Sequence, residues 1–283
     1  MKIISRQIDF QIPQNTAVAI GKFDGVHRGH KKLLDAILAH KMDDLASCVF
    51  TFSPSPSIFR GQGNEKELTT QREKREIFEA MGVEYLVEFP FTKETAAILP
   101  EDFIRDILYH RMNVRFLAAG NDISFGKGGT GNASLILSLA HELHFEAAIL
   151  EKVRFCDQPI SSSWIRLAVE SGDMELAAAM LGEPYQLWGS CQNTARSMTT
   201  MDPHIVSIAV EPNKILPTRG WYQVWVSTKE ELFQTYVSVA NTDDSVSDQL
   251  YLYYPQEQTV PERELKISFI RTCQNIDGFI APF

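Results

Sequence analysis

Ala17-Val-Ala-Ile-Gly-Lys-Phe-Asp-Gly-Val-His-Arg-Gly-His-Lys-Lys-Leu-Leu34 is the stretch that decides the fold. Its short apolar run, Ala17 to Ile20, reads as a buried strand. A glycine-bounded turn follows, from Gly21 to Gly25. His27 and His30 come next, then an amphipathic run with Leu33, Leu34, Ile37 and Leu38 at helical spacing. A strand feeding a glycine turn and then a helix builds a phosphate site. The glycines admit a close approach of the backbone, and the free N–H groups at the helix start point at an anion. The two histidines share one face of that first turn, where both can donate to one phosphate. Lys22 and Arg28 add positive charge nearby.

Outward from this stretch, short apolar runs alternate with helical patterns up to about Glu183. Cys48-Val-Phe-Thr-Phe52 reads as a strand from its β-branched and aromatic content. It stops at Ser53-Pro-Ser-Pro56, where two prolines end ladder pairing. Thr70 and Glu73 form a capping box for a helix through Ile77, Phe78 and Met81 that ends at Gly82. Tyr85 to Phe89 is the next strand. Pro100-Glu-Asp opens a helix that turns Phe103, Ile104, Ile107 and Leu108 inward. Phe116 to Ala119 is a strand leading into the loop Gly120-Asn-Asp-Ile-Ser-Phe-Gly-Lys-Gly-Gly-Thr-Gly131. A helix with Leu135, Leu139 and Leu143 and a strand from Ala147 to Leu150 follow. Pro159 to Arg166 opens a further helix ending near Gly172, and Asp173 caps a last one that ends at Gly182. Such alternation implies an α/β fold with a parallel sheet covered on both faces. The loops after Ile20, Phe52 and Ala119 then meet at the carboxyl edge, where such sheets bind ligands.

From about Leu187 the pattern changes. Val206–Val210, Trp221–Val226, Phe233–Val239, Leu250–Tyr254 and Leu265–Ile270 are short strand-like runs with no long helical pattern between them. The chain therefore divides into residues 1–187, α/β, and residues 188–283, a small all-β barrel or sandwich. Its 283 residues suit two domains.

Composition excludes some classes. The net charge of −9 gives no support to nucleic-acid binding. No apolar run approaches the roughly 20 residues of a membrane helix. The N-terminus carries charges where a signal peptide has its apolar core, so the protein reads as cytoplasmic. Cys48, Cys156, Cys191 and Cys273 lack zinc or redox spacing and read as buried reduced thiols.

Gly21 to His30 resembles the HxGH signature of the nucleotidyltransferase superfamily, specifically the FAD synthetase module of bacterial riboflavin kinase/FAD synthetases. Thr51-Phe-Ser-Pro-Ser-Pro56 resembles that family's flavin-side loop, and Leu68-Thr-Thr-Gln-Arg-Glu-Lys its following helix start. Gly120 to Gly131 resembles its glycine-rich loop. Ile160-Ser-Ser-Ser-Trp-Ile-Arg166 resembles its second phosphate motif. The likeness covers residues 15–187.

The resemblance implies a Rossmann-like nucleotidyltransferase domain that transfers AMP from ATP to FMN, giving FAD and pyrophosphate. It assigns His27, His30 and Arg166 to catalysis. Gly21, Lys22, Phe23, Gly25, Gly29, Gly120, Ser162 and Ser163 would bind ATP and its phosphates. Phe52, Pro54, Pro56, Asp122 and Phe125 would stand on the flavin side. Mg²⁺ would be held mainly by the ATP phosphates, with no protein ligand set. Lys22, Ser55, Ile123, Ser124, Ser163 and Trp164 depart from the family pattern; Ser55, Ile123 and Ser124 stand in the flavin-side loops. A related transfer to another phosphate acceptor, or a flavin- or nucleotide-binding sensor, are the competing readings.

In the bifunctional family the second domain is a kinase barrel with a Gly-rich stretch and a Pro-Thr-Ala-Asn motif. Neither occurs here. Leu216–Val226 and Val239-Ala-Asn241 still resemble barrel strands, and Asp248 is the nearest counterpart of the catalytic glutamate. The implied domain keeps the riboflavin-kinase fold without the kinase motifs. Trp221 and Trp225 share a face, read as core packing. The run Gln71–Glu76 reads as an exposed helix face. His141-Glu-Leu-His144 reads as a solvated helix face.

Overall fold

The computed structural model describes residues 1–59, 61, 66–192, 205–229, 231–240, 249–253 and 264–273. Asn241, Asp248 and Tyr254, which entered the sequence reading, lie outside them. The chain falls into two compact units, Met1–Glu65 with Lys74–Ile160, and Lys66–Glu73 with Ser161–Phe283.

The first unit is a six-stranded sheet. Its strands are β1 (Lys2–Ser5), β2 (Thr16–Ile20), β3 (Ala46–Ser53), β4 (Tyr85–Pro90), β5 (Val114–Gly120) and β6 (Glu146–Leu150). Their order is β1-β4-β3-β2-β5-β6, and every neighbouring pair is parallel. β2 is buried along its whole length, as a central parallel strand without polar alternation must be. The chain leaves β2 for β3 on one side, while β5 lies on the other. The switch point is therefore at the carboxyl end of β2, as the α/β reading requires.

Alternate residues of these strands build two cores. Val18, Ile20, Cys48, Phe50, Val87, Phe89 and Leu117 pack on one face. They meet Phe103, Ile104, Ile107 and Leu108, together with Ile136 and Leu139 of a later helix. The first four belong to a π-type helix, Phe103–Arg111, that continues from Pro100–Asp102. Ala17, Ala19, Val49, Leu86 and Phe116 face the other way. There they meet Leu33, Leu34 and Ile37 of α1 (Arg28–Leu38) and Phe78 of a further helix, Gln71–Ala80. A short helix α2 (Pro56–Phe59) stands between, so Gln71–Ala80 is α3. Pro100–Asp102 is α4, and the helix with Ile136 is α5 (Ala133–Leu143). β7 (Arg154–Phe155) and β8 (Gln158–Pro159) form a small hairpin.

The second unit opens with α6 (Ser162–Ser171) and α7 (Met174–Leu181), each ended by a left-handed glycine, Gly172 and Gly182. Six antiparallel strands then close a barrel. They are β9 (Tyr185–Gln192), β10 (Ile205–Val210), β11 (Gly220–Ser227), β12 (Leu232–Ala240), β13 (Gln249–Tyr253) and β14 (Glu264–Cys273). The circuit runs β10-β13-β12-β11-β14-β9 and returns to β10. Because α7 packs on β9 and β14, α6 and α7 group with the barrel, whereas the sequence pattern put the change at residue 187.

Two packing expectations need correction. Tyr222 is the inward residue of β11, fully buried, while Trp225 is 40% exposed on the outer face. Period two places Trp221 and Trp225 together but does not say which face is inside. The run Gln71–Glu76 is not simply a solvated face. Thr70 and Glu73 do form the capping box, with Thr70 N–H donating to Glu73 Oε2 at 2.9 Å. Yet Glu73 is buried and pairs with buried Lys214 at 2.6 Å, and also accepts from the Trp188 amide at 3.3 Å. Arg72 makes a two-pronged bond to Glu264, and Arg75 another to buried Glu88. All four cysteines are free, as expected, but Cys48 alone is buried and Cys156 is exposed.

Candidate active site

The loop after β2 is held in an unusual backbone. Gly21 N–H donates to the Phe50 carbonyl at 3.2 Å, and Thr51 Oγ1 donates to the Lys22 carbonyl at 3.3 Å. Phe23 (φ 52°), Gly25 (φ 89°) and Val26 (φ 39°) are left-handed. Two of these are not glycine, and such positions cost on the order of 1–3 kcal/mol each. Phe23 and Val26 are buried in the core beside α1, and that burial holds the conformation.

The loop delivers His27 to the N-cap of α1. Its backbone is extended, and its Nδ1 accepts the His30 amide at 3.3 Å. The two imidazoles stack, with centroids 3.8 Å apart and planes 15° from parallel. Gly29 makes room for this. A Cβ there would stand 3.1 Å from the His27 ring. On its other side His30 leans on Phe23, centroids 5.1 Å apart, and Phe23 meets Phe78 edge-on at 5.4 Å. Phe23 thus supports His30 with its side chain.

Burial pushes the His27 pKa down to about 4, against Asp24 and, more weakly, Asp122, which pull it up. Burial also lowers His30 well below the usual histidine value, helped by His27 and Lys74. Both rings are neutral at pH 7. The capping bond makes His27 Nδ1 an acceptor, so the ring proton sits on Nε2 and is available to donate. Among the described residues the buried His30 Nδ1 has no hydrogen-bond partner. A buried polar atom left short is uncommon and calls for an explanation, such as a ligand.

Parallel strand order brings the loops after β3, β2 and β5 side by side at one edge, as the sequence predicted. After β3, Phe52 sits in a cluster of aromatic rings, edge-on to Phe50 and Phe91 at 5.2 Å each, with Phe59 5.3 Å from Phe91. Pro54 follows a cis peptide bond and Pro56 heads α2. After β5, Gly126, Gly128 and Gly129 are all left-handed. A Cβ on Gly126 would strike Pro100 at 2.6 Å. Phe125 is buried against Phe103. Asp122 is exposed and ion-paired to Lys152 at 2.7 Å, and its Oδ1 would lie 3.2 Å from a Cβ on Gly120.

Ser162, Ser163 and Arg166 belong to the second unit. Ser161 is the N-cap of α6, its Oγ accepting from Trp164 N–H at 3.3 Å, so Ser162 and Ser163 are the first helical residues. Arg166 donates to the Lys66 carbonyl at 2.8 Å.

A family model described as FAD synthetase matches residues 9–164. The chain belongs to the FAD synthetase family. That places it among the nucleotidyltransferases. A bifunctional riboflavin kinase/FMN adenylyltransferase from Buchnera aphidicola subsp. Schizaphis graminum is 31% identical over 182 residues, 63% of this chain and 58% of that one. The enzyme of that name from Escherichia coli K12 is 32% identical over 221 residues, 76% of this chain and 70% of its own length. A solved structure titled as a macrolide-efflux protein from Streptococcus pneumoniae matches with a TM-score of 0.83 over 99% of this chain and 93% of that one. Its identity is 22%, which shows a shared fold. Among the described residues no helix is long and apolar enough to cross a membrane.

Within the FAD synthetase unit, the residues that sequence reasoning missed are Asp24 and Lys152, whose charges both act on His27, Phe91 beside Phe52, and Phe59 beside Phe91. Lys152 lies two residues beyond β6, so the strand-end rule that found the other loops could have found it.

Proposed function

We propose that the protein is a cytoplasmic FMN adenylyltransferase, transferring AMP from ATP to FMN and releasing pyrophosphate, without riboflavin kinase activity. The observation that carries this is the stacked, neutral His27–His30 pair, His27 buried and His30 part-buried, at the switch point of the sheet. A phosphate monoester such as FMN is largely dianionic at pH 7, because its second pKa is about 6. An FMN phosphate oxygen can therefore attack the α-phosphorus without a general base. The new P–O bond forms as the bond to the bridging oxygen of pyrophosphate breaks, and that oxygen carries the charge away. What remains for the protein is positioning and stabilisation of charge.

His27 Nε2–H and His30 supply donors aimed at the α-phosphate. Neutral rings suit this role, since they donate without holding product by a full charge. The Phe52, Phe91 and Phe59 rings offer an apolar face for a flavin ring system. Ser162, Ser163 and Arg166 are assigned to the β- and γ-phosphates on their likeness to the family motif. Among the described residues no group of three or more His, Cys, Asp or Glu side chains could hold a metal ion. Mg²⁺ is assigned to the ATP phosphates on the likeness to the family. Four free thiols fit a reducing compartment.

The relatives are named bifunctional, but this chain has no Pro-Thr-Ala-Asn motif and no glycine between Gly189 and Gly220. The test is direct. Purified protein with Mg²⁺, ATP and FMN should form FAD and pyrophosphate in equal amounts, and ATP with riboflavin should form no FMN. FMN formed from riboflavin would overturn the second half of the reading, and absence of FAD the first.

A further inference from the structure

Lys152 is a cation on the binding edge to which adenylyl transfer, as proposed, gives no role. It follows β6, the neighbour of β5 in the sheet. The two loops are tied together, with Asn121 N–H donating to the Leu150 carbonyl at 3.1 Å and Asn121 Nδ2 to Glu151 at 2.5 Å. Across them Lys152 Nζ reaches Asp122 Oδ2 at 2.7 Å. Asp122 in turn folds back over Gly120 at the end of β5, the strand beside β2.

Both side chains of this pair are well exposed, at 41% and 64%. Exposed pairs are held weakly. A phosphate brings more charge and more acceptor oxygens than a carboxylate, and so competes well for an ammonium. Both charges of the pair also act on His27, Asp122 raising its pKa and Lys152 lowering it. Adenylyl transfer brings two polyanions to bonding distance, and a cation at that edge would reduce their repulsion.

We propose that Lys152 binds a substrate phosphate at the His27–His30 edge, and that Asp122 holds its ammonium until that phosphate arrives. The proposal rests on the adenylyl-transfer reading. The phosphate belongs either to ATP or to the acceptor, and the two are told apart by separate KM values.

K152Q should raise the KM for one of ATP or FMN about tenfold, and K152R should restore most of it. A rise for ATP alone assigns the phosphate to the nucleotide, and a rise for FMN alone to the acceptor. In a D122N background K152Q should still raise the same KM. Loss of the effect there would mean that Lys152 only masks Asp122, and would overturn the proposal. So would KM values for both substrates within twofold of wild type. If the wild-type chain makes no FAD, the parent reading fails separately. Calorimetric titration of the full chain with ATP and with FMN then reads Lys152 directly, and unchanged Kd values for both in K152Q overturn the proposal.

Discussion

Two polar clusters set into the core, one in each unit, are built on opposite principles. In the barrel unit, Glu73 accepts from Thr70, Lys214 and Trp188, and Lys214 Nζ also donates to the Leu68 carbonyl at 2.6 Å and lies 4.5 Å from the centre of the Tyr185 ring. Each charge has its opposite, and the hydrogen-bonding capacity is largely used. In the sheet unit, His27 is buried and His30 part-buried, yet they stack on each other and leave the buried His30 Nδ1 with no partner among the described residues. Folding alone favours the first arrangement, because an unsatisfied buried group costs about 1–3 kcal/mol. The second makes sense as a site waiting for a ligand. Its strained loop points the same way, since Phe23 and Val26 hold left-handed backbones that the core enforces.

The sharpest way to break this contrast is to remove one member of each cluster. H30A should lower FAD formation by about a thousandfold with the unfolding midpoint near wild type. K214M should do the reverse. It leaves a buried carboxylate uncompensated and should cost about 3 kcal/mol in urea unfolding, while the E73L/K214M double variant regains at least half of that. A K214M protein as stable as wild type would show the pair to be incidental.

The pH dependence of stability gives the next effect. Burial holds the His27 pKa at about 4 in the folded chain, below its ordinary value of 6.5. The unfolded chain therefore binds a proton more readily between these values. The His27 contribution is complete above pH 6.5 and is lost as pH falls towards 4. For one group the gap amounts to about 3 kcal/mol as an upper figure. H27N keeps an N-capping side chain and removes the titration. Its stability should fall less than that of wild type between pH 7 and 4.5 in urea titrations, and parallel curves would refute the assignment.

The smallest effect sharpens the loop. G29A places a methyl 3.1 Å from the His27 ring, so kcat should fall about tenfold, or 1.4 kcal/mol, with FMN binding by fluorescence quenching little changed.

Much of this was legible in the sequence because it is local. The strand–turn–helix around His27, the Thr70–Glu73 capping box, and the Asp173 cap with its closing Gly182 all depend on residues within a few positions of each other. The meeting of three loops followed from the parallel alternation alone. What was not legible depends on distant partners. β1 is a short strand, exposed at Lys2 and Ile3, that exists because it pairs with β4, more than 80 residues away. Glu73 could be read as a cap but not as the partner of Lys214, 141 residues on. The facing of Trp221 and Trp225 is set by barrel closure, which no period-two pattern encodes. In the site, His27 and His30 were visible by spacing. Their stacking, their lowered pKa values and the Lys152–Asp122 pair were not, because burial and loop proximity create them.

The most direct test is single-turnover release of pyrophosphate from ATP, with and without FMN, by wild type, H27N and H30A. Wild type should release pyrophosphate only when FMN is present and form FAD in step with it, and H30A should bind both substrates but turn over about a thousandfold more slowly. FAD formation by H30A at the wild-type rate would contradict the role given to the stacked pair.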